Sequence, residues 1–192
     1  MTKSGTARRT PYVLARFSVF SECLLAGVWI ALAALPLVTF LAAFAAGARH
    51  LRRYLAGERS GLWEFVADVR GAARSGWRLS LLWWAGLALL AFDWRVARSG
   101  MLPGGRALAA VSALGLLAVA VWGLRTAAAW RSGANWWHTA RTAARRTVTD
   151  PAGSLLLVGG FVALAVATWQ VPPLAAPALG CLAAAAVAAD RR

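Results

Sequence analysis

The sequence predicts an all-α protein: a polytopic transmembrane bundle of five to six membrane helices with two amphipathic helices at its cytoplasmic or interfacial side. Three observations carry that expectation. Of 192 residues, 60% are hydrophobic, and the mean hydropathy of +0.59 is one that soluble domains of this size rarely reach. The apolar residues fall into runs of membrane-spanning length, and the basic residues collect in the short segments between those runs. After an N-terminal arm (1–16), residues 17–192 read as one membrane domain, with membrane helices at about 17–35, 36–55, 77–96, 107–125, 152–168 and 174–189.

The first run sets the threading. Phe17–Phe44 is almost wholly apolar, and the 26 residues from Cys23 to Ala48 carry no charge. As a helix that stretch would be about 39 Å long, against a hydrocarbon core of about 30 Å. It is too long for one span and too short for a regular pair. Pro36 near its middle removes a backbone donor, so it either kinks one tilted span or restarts the chain as a second, shorter leg over 36–55. Charge favours the second threading. Basic residues number four before Phe17, seven in 49–78, three in 95–106, five in 125–146 and two at the end. A hairpin at Pro36 puts all but Arg95, Arg98 and Arg106 on one side, which by the positive-inside rule is the cytoplasm, with both termini. The apolar run exceeds the h-region of a secretory signal, so it is expected to be retained.

The remaining elements follow in order. Between Leu62 and Arg78 a 100° repeat puts Leu62, Phe65, Val66, Val69, Ala73 and Trp77 on one face and Glu64, Asp68, Arg70, Arg74 and Arg78 on the other. That is an amphipathic helix, at about 62–76, either lying in the interface with Arg70, Arg74 and Arg78 toward headgroups or packed under the bundle. Trp63 and Trp77 mark the interface in both cases. Leu79–Phe92 begins the next span, and Asp93 then sits inside the membrane boundary. A carboxylate there is a candidate for a proton, ion or substrate role, or else a partner for a nearby arginine. Pro103-Gly104-Gly105 is a turn, Ala107–Leu124 a span bracketed by Trp122 and Trp130. A second amphipathic helix over 135–148 follows, with Trp137, Ala140, Ala144 and Val148 opposite His138, Thr142, Arg145 and Arg146. Asp150-Pro151 breaks it and starts the final pair of spans, turned at Trp169–Pro173. In the last one Ala176, Gly180, Ala184 and Ala188 form a small-residue stripe at i+4, a helix-packing surface within the bundle or toward a partner.

Chemistry is sparse. No catalytic motif, phosphate-binding loop or metal-ligand spacing occurs, and the only lysine is Lys3. No catalytic residue, metal or cofactor is therefore expected. Cys23 and Cys181 lack paired spacing, and His50 and His138 read as ordinary interfacial histidines. Only Glu22 and Asp93 are carboxylates within membrane depth. The net charge of +14 is spread over membrane-flanking segments, which fits a lipid bilayer as partner and no nucleic acid.

The run Leu35-Pro36-Leu37-Val38-Thr39, then Ala42-Ala43-Phe44, Arg49 through Gly57-Glu58, Trp63-x-Phe65 and Leu89-Leu90-Ala91-Phe92-Asp93 resembles the YesL-like family of small bacterial integral membrane proteins, a domain of unknown function. The resemblance extends to Asp150-Pro151 and the final hairpin. Phe40-Leu41 stands where members of that family often carry Gly-Pro. The resemblance implies a carbohydrate-uptake context and no mechanism. Two functional expectations follow. One is a non-enzymatic accessory or assembly subunit, its partners being sugar-transporter membrane subunits or further copies of itself. The other is a small transporter or channel acting as a homo-oligomer, with Asp93 and Glu22 in the pathway.

Overall fold

The computed structural model describes residues 12–58, 61–99, 104–170 and 174–190, with side chains from residue 21 onward. The arm before Tyr12, residues 59–60, the turn residues 100–103 and 171–173, and the last two residues lie outside these. Among the described residues there are α-helices α1 (Tyr12–Ala33), α2 (Phe40–Leu55), α3 (Leu62–Arg98), α4 (Gly105–Ala129), α5 (Trp136–Thr149), α6 (Pro151–Gln170) and α7 (Ala175–Asp190), and no strand. Helix α1 starts within the expected arm, since nothing in residues 12–16 interrupts a helix.

A turn at Pro36 replaces the single kinked span. Helix α1 stops at Ala33, and a 3-10 turn over Leu37–Thr39 follows Pro36. The Thr39 hydroxyl donates to the carbonyls of Ala33 and Pro36, meeting acceptors that the helix end leaves open. Helix α2 then runs antiparallel to α1, so that Glu22 meets His50 and Ile30 meets Gly47.

Helix α2 is the centre of the bundle, in contact with α1, α3, α4 and α7. Every residue from Leu41 to Ala48 is buried. A helix that is apolar all round is buried all round, and the small residues Ala42, Ala43, Ala45, Ala46, Gly47 and Ala48 let its neighbours come close.

Helix α3 corrects the expected division at residues 76 and 77. It is one helix of 37 residues, about 55 Å long, rather than an interfacial helix followed by a span. Its buried seam runs through Phe65, Asp68, Ala72, Gly76, Leu79 and Trp83, at spacings of three and four that cross the expected break without interruption. Gly76 is a packing notch: a Cβ there would collide with the Trp136 indole. The seam is rotated by roughly 80° from the face that the apolar residues mark. Leu62 and Trp77 are exposed, whereas Asp68, which the repeat places on the polar face, is buried. Helix α5 shows the same rotation. Trp136, Thr139, Ala140 and Ala143 are buried, while Trp137 and Val148 are exposed.

The other ends are set by local chemistry. Gly104 supplies the left-handed residue (φ 79°) before α4. Asn135 caps α5 by accepting from the Trp137 N–H at 2.9 Å, and Asp150 caps α6 by accepting from Gly153 N–H at 3.0 Å, with Pro151 at the first helical position. Helices α1 and α7 touch backbone to backbone, because Gly27 and Gly180 face each other with no room for a Cβ on either. Trp130, expected at a membrane boundary, is buried and stacked on Trp136 at 5.5 Å. Three helices, α3, α4 and α6, are long and apolar enough to cross a membrane; the apolar parts of α1 and α7 are shorter. Helix α6 leans on α7 and leaves Leu155, Val162, Val166 and Trp169 exposed.

Candidate functional site

The polar groups of the bundle gather at one end, where α2 leaves its alanine-packed half and carries Arg49, His50, Arg52 and Arg53 outward. Between them they meet three carboxylates, one each from α1, α3 and α7. His50, only 1% exposed, lies with Nε2 2.7 Å from Glu22 Oε1 of α1 and edge-on to the Trp29 ring. Asp68 of α3 stands between Arg49 at 3.4 Å and Arg53 at 3.1 Å. These are ion pairs by distance but lack hydrogen-bond alignment. Asp190 of α7 divides its oxygens, one accepting from Arg52 at 2.6 Å and the other from Arg146 of α5 at 2.7 Å.

A second centre ties the α5–α6 junction to α4. Arg125 is 8% exposed. Its Nη2 donates to both the carbonyl (3.1 Å) and the carboxylate (2.9 Å) of Asp150, and its Nη1 donates to the Arg146 carbonyl at 3.3 Å. The guanidinium thus meets carbonyls orphaned at the end of α5 while neutralising the cap of α6. Its Nε is buried without a hydrogen-bond partner. Beside it a cavity of about 270 Å³ opens between α4, α5 and α7.

Pairs of this kind add little net stability, since desolvation offsets their attraction, but they forbid alternatives: removing one partner of a buried pair costs about 3–5 kcal/mol. Four of the seven acidic residues, Glu22, Asp68, Asp150 and Asp190, form with these basic partners a charged collar at one end of the bundle. A fifth, Glu64, accepts from the Gly61 N–H at 3.0 Å and closes the start of α3.

The sequence-marked residues separate. Glu22 belongs to the collar. Asp93 lies 25 residues along α3 from Asp68, roughly 37 Å away along the helix, half-buried and with no ion pair or hydrogen bond among the described residues. Glu22 and Asp93 therefore do not share a site, and neither Arg95 nor Arg98 pairs with Asp93; Arg98 lies instead over the Trp94 ring at 4.9 Å. Arg70, Arg74 and Arg78 are exposed along α3. In the stripe, Ala176 and Gly180 meet α1, with Gly180 against the Cys23 carbonyl; Ala184 is half-buried, and Ala188 is exposed.

His50 is the residue that sequence reasoning misplaced. Read as an interfacial histidine without a carboxylate neighbour, it is buried and has one. The signal was there: Glu22 and His50 stand fourteen residues either side of Pro36, so any regular hairpin turned there brings them level. Among the described residues no group of three or more His, Cys, Asp or Glu side chains is placed to hold a metal ion, and both cysteines are free. Comparison with family models, curated proteins and solved structures found no match for this chain.

Proposed function

We propose that the protein is a multi-pass cell-membrane protein of six helical legs with both termini cytoplasmic, and that it is a non-enzymatic accessory or assembly component linked to carbohydrate uptake. The observation that carries this reading is the distribution of polar groups. Among the described residues the ion pairs are confined to one end, while the Leu41–Ala48 centre is packed with alanine and phenylalanine and offers a solute no polar path. Work is then left to surfaces rather than to a conduit. The exposed apolar stripes of α3 and α5, with Trp63 (82% exposed) and Trp137 (48%), suit an interface between headgroups and acyl chains. The carbohydrate context rests on the resemblance to the YesL-like family alone.

The transporter reading has one observation in its favour: Asp93 is a half-buried carboxylate that no described residue neutralises. Pull-down of the tagged protein from its own membranes in mild detergent separates the two. Near-stoichiometric recovery of sugar-transporter permease subunits supports the accessory role. Recovery alone or as a homo-oligomer counts against it, and reconstituted flux compared between wild type and Asp93→Asn then tests transport.

A further inference from the structure

The cavity between α4, α5 and α7 is a polar recess whose described lining carries more basic than acidic groups. It is lined by three guanidiniums, those of Arg125, Arg131 and Arg146, and by one carboxylate, that of Asp190, while Arg52 and Asp150 pair with lining residues from outside it. Both Asp190 oxygens are occupied by Arg52 and Arg146, and Asp150 is held by Arg125. Arg131 and His138 line the same recess, are exposed, and enter no ion pair or hydrogen bond among the described residues. Arg125 lines the same recess with its Nη groups already donating to Asp150 and to the Arg146 carbonyl. A recess of about 270 Å³ falls just under the roughly 300–1,000 Å³ of small-molecule pockets, so it suits a small group and its water rather than a large ligand.

We infer that this recess binds a phosphate group, through Arg125, Arg131, Arg146 and His138. Guanidinium forks match the geometry of phosphoryl oxygens, and among the described residues no carboxylate other than Asp190 lines the recess. Two sources share that chemistry: the headgroup of an anionic phospholipid and a soluble phosphate. A headgroup reaches the recess at membrane level because α5, which forms one wall, also exposes Trp137 and Val148.

The test uses the full chain purified in a neutral detergent. Native mass spectrometry follows added phosphatidylglycerol against phosphatidylcholine, and calorimetry follows inorganic phosphate. Two double variants carry the argument. R131Q/H138Q removes the two unengaged exposed groups of the recess and spares every ion pair, so it folds. R70Q/R74Q removes two exposed charges on α3 as a control. Saturable binding of phosphatidylglycerol over phosphatidylcholine, weakened about tenfold or more in R131Q/H138Q and unchanged in R70Q/R74Q, assigns the site to a lipid headgroup. The same pattern with inorganic phosphate assigns it to a soluble phosphate. Absence of saturable binding to either probe, or equal loss in both variants, overturns the proposal.

Discussion

The two ends of the bundle are built by different rules. At one end Glu22, Asp68 and Asp190 come from three helices and Asp150 from the α5–α6 junction, and they are met by Arg49, His50, Arg52, Arg53, Arg125 and Arg146. At the other, beyond Trp83 along α3, no described residue enters an ion pair. Trp84 donates to the Leu37 carbonyl at 2.7 Å, Gly105 lies against the Ala97 carbonyl, and Asp93 has no ion pair or hydrogen bond among the described residues. The difference teaches that one helix sorts the chain. Alanine-rich α2 buries its first half among its neighbours, and its basic second half then gathers the carboxylates of α1, α3 and α7 around itself. Charge at that end specifies which helices meet, and small residues elsewhere decide how closely they approach.

Four substitutions sharpen or break that contrast, in falling order of effect. Gly180→Val drives a Cβ into the Cys23 carbonyl, a backbone atom that has no rotamer to escape by. We expect a loss of about 3 kcal/mol, seen as a large fall in the unfolding midpoint in detergent; an unchanged midpoint means the α1–α7 contact is not as close as described. Asp68→Ala leaves Arg49 and Arg53 facing each other without their carboxylate. Both arginines are about a quarter exposed, so the expected loss is about 2 kcal/mol rather than the full cost of a buried unpaired charge. Arg52→Met releases one oxygen of Asp190 while Arg146 keeps the other, and about 1 kcal/mol is expected in the same unfolding assay. Asp93→Asn should lower stability by less than about 0.5 kcal/mol, because the carboxylate has no partner among the described residues to lose. A drop as large as that of Asp68→Ala would erase the distinction between the two ends.

Much of this was legible from residue order. The apolar runs located the helices to within a few residues, Pro36 located the hairpin, and Asp150-Pro151 located the α5–α6 break. What periodicity could not supply was rotation. Leu62, Val69, Ala73 and Trp77 mark an apolar face on α3, and Trp137, Ala144 and Val148 mark one on α5, yet each helix is turned about a quarter of the way round from that face. The reason is that the bundle uses the side carrying Asp68 in one case and Trp136 in the other, as the residues that reach arginines and the Gly76 notch. Hydrophobic periodicity records total apolar exposure and does not say which part meets protein and which meets lipid. The continuity of α3 was hidden for a related reason. Composition changes sharply at Arg78-Leu79, but backbone hydrogen bonding needs no change of composition, and Gly76 serves packing rather than a break. The pairing of Glu22 with His50 followed from the hairpin, whereas Arg52–Asp190, 138 residues apart, had no local signature.

The most direct test of the central claim, that the charge-paired end is the cytoplasmic end of a membrane bundle, is thiol labelling in intact cells. In a C23A/C181A background, single cysteines are introduced at Ser99 beyond Asp93 and at Arg141 on α5, and a membrane-impermeant maleimide is applied before and after permeabilisation. We expect Ser99→Cys to react in intact cells and Arg141→Cys to react only once the membrane is opened. The reverse pattern, or labelling of both sites in intact cells, would contradict the account.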